Sequence, residues 1–462
     1  MIEIKVININ SSEDYNALLQ NISSLYIDAK VVDEIKSRLA VKCKRILIEY
    51  PYRDMDFSST YSAFHTKKHR MVPKECYRIH FFADRSLVQD NYLGYLVLRP
   101  SRVEKRGSAY ITPAALIDGD KYLLKTSFKA HILGSEFISS SFPWMSQETD
   151  IAVCAHAAVW SLLRYFSQKF HRYNQYTMDD IVQMTPQYIQ RKTPSEGLNI
   201  LQIAETFSRA GSHPLLLQKG NDPSNFIRNV FSYIESGIPI IGCMTRKEHA
   251  VAIIGHGTLD YTVLDSFGAN YISSHNLIDS LVICDDNHLP YTEISQRHGS
   301  ASYTFNDLDY VIVPLYEKMF LSADIVNKRV NALLKTNNLD LIPPLVLRTY
   351  MTSSKSLKEE FLNDESIDKK LVDIVLKTPM PRFVWCVDVS TKEEFKSSLM
   401  SGKIIIDITA GTYEQEPWIL FHDSNNIKYY DPQSDTIKVI ENCTIKPYSI
   451  YRNNLKEVKD DT

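Results

Sequence analysis

The stretch from Lys247 to Gly268 constrains this chain more than any other. It reads Lys247-Glu248-His249-Ala250-Val251-Ala252-Ile253-Ile254-Gly255-His256-Gly257 and then Tyr261-Thr262-Val263-Leu264-Asp265-Ser266-Phe267-Gly268. Beta-branched and aliphatic residues fill both runs, and Gly255, Gly257 and Gly268 punctuate them, so the pattern predicts two adjacent antiparallel strands. His249 opens the first strand and Asp265 closes the second. A carboxylate beside an imidazole fixes the ring's tautomer and orientation. Such a pair is useful only if a nucleophile stands near it.

Upstream lies a candidate. Cys154-Ala155-His156-Ala157-Ala158-Val159-Trp160-Ser161-Leu162-Leu163-Arg164-Tyr165-Phe166 is rich in Ala and Leu, and Ala157, Trp160, Leu163 and Phe166 recur at helical spacing. Cys154 then sits in the first helical turn, where the helix dipole and free backbone N–H groups favour a thiolate. An imidazole partner makes the thiol a nucleophile and supplies a proton for the leaving group. Gln147 precedes the helix, and its amide can donate to a developing oxyanion, with the Cys154 backbone N–H as second donor.

These residues resemble the papain-like cysteine peptidase superfamily. There a His strand of the form HAVxxxGxG is followed by a strand ending N-S-W-G. Here the text is His249-Ala250-Val251-Ala252, Gly255-His256-Gly257, and Asp265-Ser266-Phe267-Gly268. The resemblance implies Cys154 as nucleophile, His249 as base, Asp265 as orienting residue and Gln147 as oxyanion residue, in the superfamily's chain order. Asp in place of Asn at position 265 is similar to the bacteriocin-processing branch. Cys154 is followed by Ala155-His156 rather than by papain's small residue and Trp, and six residues separate it from Gln147, one more than is usual. The fold implied is α+β: a helix carrying Cys packed on an antiparallel sheet carrying His and Asp.

The resemblance covers residues 141–315 of 462, so further units are expected. Residues 1–140 read as a strand-rich α+β unit with a possible regulatory role, and 316–462 as an α+β unit for substrate or partner binding. A net charge of -3 gives no argument for nucleic acid or an anionic membrane. No apolar run reaches transmembrane length, and Met1-Ile2-Glu3-Ile4-Lys5-Val6 lacks the pattern of a signal peptide. The seven cysteines are scattered, with no CxxC pair, so neither a disulfide framework nor a zinc knuckle is indicated, and a cytoplasmic setting is expected. No cofactor and no metal are called for.

Other residues invite functional readings. Cys243 lies in an apolar strand and reads as core. His156 points away from Cys154 on its helix, and His256 falls on the face opposite His249 if the strand is regular. Cys284-Asp285-Asp286-Asn287-His288 ends an apolar strand; it reads as a capped loop, with a metal site or an alternative carboxylate for His249 as the functional options. His65-Thr66-Lys67-Lys68-His69-Arg70 reads as a solvated loop, and Arg99 as a side chain able to bind a carboxylate or phosphate. The expected function is an intracellular cysteine peptidase hydrolysing a peptide or isopeptide bond of a protein substrate, under the control of its flanking units. The alternatives are a thiol acyltransferase of transglutaminase type and a non-catalytic scaffold.

Overall fold

A computed structural model of the chain describes residues 2–39, 42–101, 108–111, 121–148, 151, 153–186, 197–295, 303–336, 341–414, 416–452, 454 and 456–458. Thr149, Asp150 and Ala152, just before Cys154, lie outside them.

The architecture is mixed α and β, built on three large sheets that are antiparallel apart from one edge pairing. The first sheet has the order Glu3–Asn8, Arg45–Tyr52, Cys76–Phe82, Tyr92–Leu98, Ser108–Ile111, Trp144–Met145. The helix Ala29–Leu39 buries Val31, Val32, Ile35 and Leu39, the i, i+4 stripe of a helix that covers a sheet. Residues 130–138 form the tip of a hairpin. Thr126–Ile132 and Ser135–Ser141 pair across Leu133 and Gly134, both in the left-handed region.

The second sheet runs His213–Gln218, Tyr310–Leu315, Ile240–Met244, His249–Gly257, Ser280–Cys284, Thr292–Ser295. On the histidine strand the side chains divide. Ala250, Ala252 and Ile254 pack into one core with Val159, Trp160 and Leu162 of the thiol helix Cys154–Lys169. Val251 and Ile253 enter a second core with Val230 and Ile234 of the helix Pro223–Glu235. A strand covered on both faces must be apolar throughout, which explains the unbroken run after His249.

The third sheet runs Tyr271–Ser273, Leu345–Ser353, Phe383–Thr391, Gly402–Asp407, Trp418–His422, Ile427–Asp431, Thr436–Ile440. Strands cross the expected unit boundaries. Lys121–Leu123 pairs with the histidine strand, Trp144–Met145 joins the first sheet, and Tyr271–Ser273 pairs in parallel with Leu345–Ser353. Lys456–Val458 pairs with Lys121–Leu123.

Buried ion pairs add to this interweaving. Asp56 accepts from Trp160 Nε1 at 2.8 Å and from Arg164 Nη2 at 2.8 Å, tying the first unit to the thiol helix. Arg348 Nε donates to Glu235 Oε2 at 2.8 Å, and His256 Nε2 lies 3.0 Å from Glu235 Oε1. Burial works against the Glu235 carboxylate, but Arg348 and His256 together hold it below its ordinary range. Among the described residues no helix is long and apolar enough to cross a membrane.

Candidate functional site

A cleft of about 870 Å³ opens where the thiol helix meets the histidine strand. Gln147, Cys154, Cys243, His249 and Asn287 all line it. Cys154 is the first residue of its helix, with Val153 as N-cap in extended conformation. Its backbone N–H therefore has no partner within the helix. The Val153 N–H is 3.4 Å from His156 Nδ1, so His156 serves the helix start, and burial lowers its ring to about 4.

His249 enters the cleft at the first position of its strand. Glu248, immediately before it, adopts φ 50°, a left-handed conformation that a glutamate rarely takes. His249 Nε2 lies 2.8 Å from Asp285 Oδ1. With Nε2 engaged by Asp285, Nδ1 is the ring nitrogen left for Cys154, which lines the same cleft and favours the ring's cation. Tyr303 stacks on the ring, with centroids 5.2 Å apart and planes at 16°. Burial works against the His249 cation, but the bonds to Asp285 and Cys154 outweigh it and raise the ring to about 10.

Asp265 does not reach this site. The run Tyr261–Ser266 folds as a 3-10 turn and not as a strand, with Asp260 Oδ1 accepting from the Thr262 N–H at 3.0 Å. Asp265 is exposed and ion-paired with Lys396 Nζ at 2.9 Å. The strand beside His249–Gly257 is Ser280–Cys284, in antiparallel register with Ala252 opposite Cys284. The residue after that strand is Asp285. An antiparallel neighbour ends where its partner begins, so Asp285 arrives beside His249.

Asp285 is well placed to orient a cation. Its Oδ1 also accepts from the Asn287 N–H at 3.1 Å, and its backbone carbonyl accepts from Trp144 Nε1 at 2.6 Å. Its side chain is fully buried, and the His249 bond and charge lower its carboxyl despite burial. Gln147 Nε2 donates to Asn287 Oδ1 at 3.1 Å, and among the described residues the second amide hydrogen has no partner.

No family model, no curated protein and no solved structure matches this chain.

Asp286 completes the cluster. Its Oδ1 is 3.7 Å from His249 Nε2, and among the described residues both of its carboxylate oxygens are buried without a hydrogen-bond donor. Burial and the Asp285 charge push its carboxyl up to about 7. His249, Asp285 and Asp286 can offer three ligand atoms within 4.8 Å of one another. An ion among them would have to displace the His249–Asp285 hydrogen bond, so the observed spacing suits an ion pair rather than a coordination sphere.

Cys243 is buried beside the cleft, and burial pushes its thiol up to about 12, which suits a core residue. His256 is buried against Glu235. The shift of register between Ile253 and Gly255 carries it onto the second core's side. His65 is buried while Lys67, His69 and Arg70 are exposed, so the solvated-loop reading holds for only part of that basic run.

Proposed function

We propose that this chain is a thiol hydrolase of papain-like arrangement acting on a peptide or isopeptide bond. The observation that carries it is the convergence of Cys154, His249 and Asp285 at one cleft, from a helix start, a strand start and a strand end. The order Gln147, Cys154, His249, carboxylate along the chain supports the same reading, with Asp285 in the place expected of Asp265.

In this reading Cys154 attacks the carbonyl carbon as a thiolate, with the proton held on His249. The cation at about 10 keeps that proton on the ring across neutral pH. Asp285 fixes the ring through Nε2 and stabilises the imidazolium. The oxyanion receives the Cys154 backbone N–H and the free amide hydrogen of Gln147. His249 passes its proton to the departing amine, and an acyl-enzyme thioester remains. Water, deprotonated by the now neutral ring, then releases the acid and restores the thiol.

The test is direct. Native protein and its Cys154→Ala variant are incubated with a mixed peptide library, and products are read by mass spectrometry. Cleavage by the native chain that disappears in the variant is expected. Cleavage retained in Cys154→Ala, or a native Cys154 that reacts with iodoacetamide no faster than thiols of the denatured chain, overturns the proposal.

A further inference from the structure

Gln147 sits on a short loop between Ser146 and Glu148, and both neighbours are gripped by the first unit. Arg99, which follows the strand Tyr92–Leu98, donates Nη2 to the Ser146 carbonyl at 2.9 Å and lies 3.3 Å from Ser146 Oγ. Its Nη1 approaches Glu148 Oε2 at 3.7 Å. His65 Nε2 bonds Glu148 Oε1. Arg99 and His65 are both buried, and neither belongs to the thiol, imidazole or carboxylate apparatus.

The grip is two-sided. One guanidinium holds the Ser146–Gln147 peptide directly, and Glu148 is held through its side chain, by His65 and by the nearby charge of Arg99. The Ile151 N–H also donates to the Glu148 carbonyl at 2.7 Å, passing the loop's position on towards the thiol helix. His65 lies in the turn just after the helix Met55–Ala63, whose Asp56 bonds Trp160 and Arg164 of the thiol helix. One segment of the first unit, the helix and the turn after it, thus contacts both the thiol helix and the Gln147 loop.

We propose that Arg99 and His65 are positioning residues that aim the Gln147 amide at the oxyanion, so that residues 1–140 form part of the reaction site. This rests on the thiol chemistry proposed above. An oxyanion donor displaced by a fraction of an ångström loses much of its worth, because its advantage over water is its fixed direction.

Two reagents separate this role from general support. Iodoacetamide alkylates Cys154 by displacing iodide from a saturated carbon and forms no oxyanion. With p-nitrophenyl acetate, Cys154 adds to the acetyl carbonyl. A tetrahedral oxyanion forms and collapses to the acetyl thioester, and p-nitrophenolate departs with the electron pair of the broken C–O bond. Full-length native protein is compared with Cys154→Ala as background, with Gln147→Ala, and with Arg99→Leu, Arg99→Lys and His65→Gln. In Arg99→Leu and His65→Gln, alkylation should stay within about twofold of native while acylation falls about tenfold or more, towards the ~10²-fold loss expected for Gln147→Ala. Arg99→Lys should lie between, since it keeps the charge and loses the fork. If Arg99→Leu does not fold, Arg99→Lys and His65→Gln carry the comparison.

Acylation at the native rate in these variants overturns the proposal, and so does a parallel fall in both rates, the mark of a merely structural role. A native Cys154 unreactive to both reagents overturns the thiol-hydrolase reading itself. That result is distinct from a reactive native enzyme whose variants behave alike.

Discussion

His249 Nε2 stands 2.8 Å from Asp285 Oδ1, and the two residues come from adjacent antiparallel strands 36 positions apart in the chain. Asp265, only 16 positions after His249, is spent on an exposed ion pair with Lys396. Asp285→Ala should lower the cleavage rate on the order of 10²–10⁴-fold, because the ring loses its orienting carboxylate. Asp265→Ala should leave the rate within about twofold, since its ion pair lies on the surface and is screened by solvent. Rates measured side by side decide the assignment, and the reverse ranking would restore Asp265.

Asp286 should make stability fall as the pH rises. Its carboxyl is pushed up to about 7 from an ordinary 3.8 by burial and by the Asp285 charge. Between those two values the folded protein keeps a proton that the unfolded chain has released, so each pH unit weakens folding by up to ~1.4 kcal/mol through this group. The loss is absent below the unfolded value and complete above the folded one. Asp286→Asn keeps a neutral side chain at every pH, so its stability advantage over native should widen from pH 4 to pH 7 and then level off. Urea unfolding across that range checks this, and parallel curves would refute it.

Gly255 and Gly268 stand in the same motif but under different constraints. A Cβ at Gly255 would come within 2.2 Å of the Tyr122 carbonyl oxygen and 2.6 Å of Leu123 Cδ2. At Gly268 nothing lies within 4 Å. Gly255→Ala should cost about 1–3 kcal/mol, because backbone oxygen cannot step aside as a flexible side chain can. Gly268→Ala should stay within about 0.5 kcal/mol. Urea or thermal melts of the two variants make the comparison.

Arg348 joins Glu235 of the second unit to Asp388 of the third, at 2.8 Å and 3.2 Å. All three side chains are buried. Arg348→Met leaves two carboxylates without their shared cation and should cost about 3–5 kcal/mol. Equilibrium unfolding should show this large loss. A change under 1 kcal/mol would mean that Lys403, which also pairs with Asp388, compensates.

Much of the site was legible in the residues themselves. A helix starting at Cys154 follows from the Ala- and Leu-rich repeat, and the observed helix begins at that residue. The buried strand from His249 follows from its apolar run, and Gln147 does line the same cleft. Asp285 carried a fainter signal, a carboxylate at the end of an apolar strand, which was open to several readings.

Asp265 misled because Tyr261-Thr262-Val263-Leu264 has the composition of a strand. Asp260, two residues before Thr262, caps a turn there instead, and a local side-chain bond of this kind competes with strand pairing.

The sequence by itself determined the local states of the thiol helix and the histidine strand, and where a thiol, an imidazole and an amide can be presented. Only the tertiary structure decided the partners. Strand pairing joins segments distant in the chain, and nothing in a strand's own residues names its neighbour across the sheet. Ser280–Cys284 rather than 261–266 lies beside the histidine strand, and that choice places Asp285 on the ring. The same physics set Arg99 and His65 against the Gln147 loop, since contacts between units depend on packed surfaces rather than on spacing along the chain.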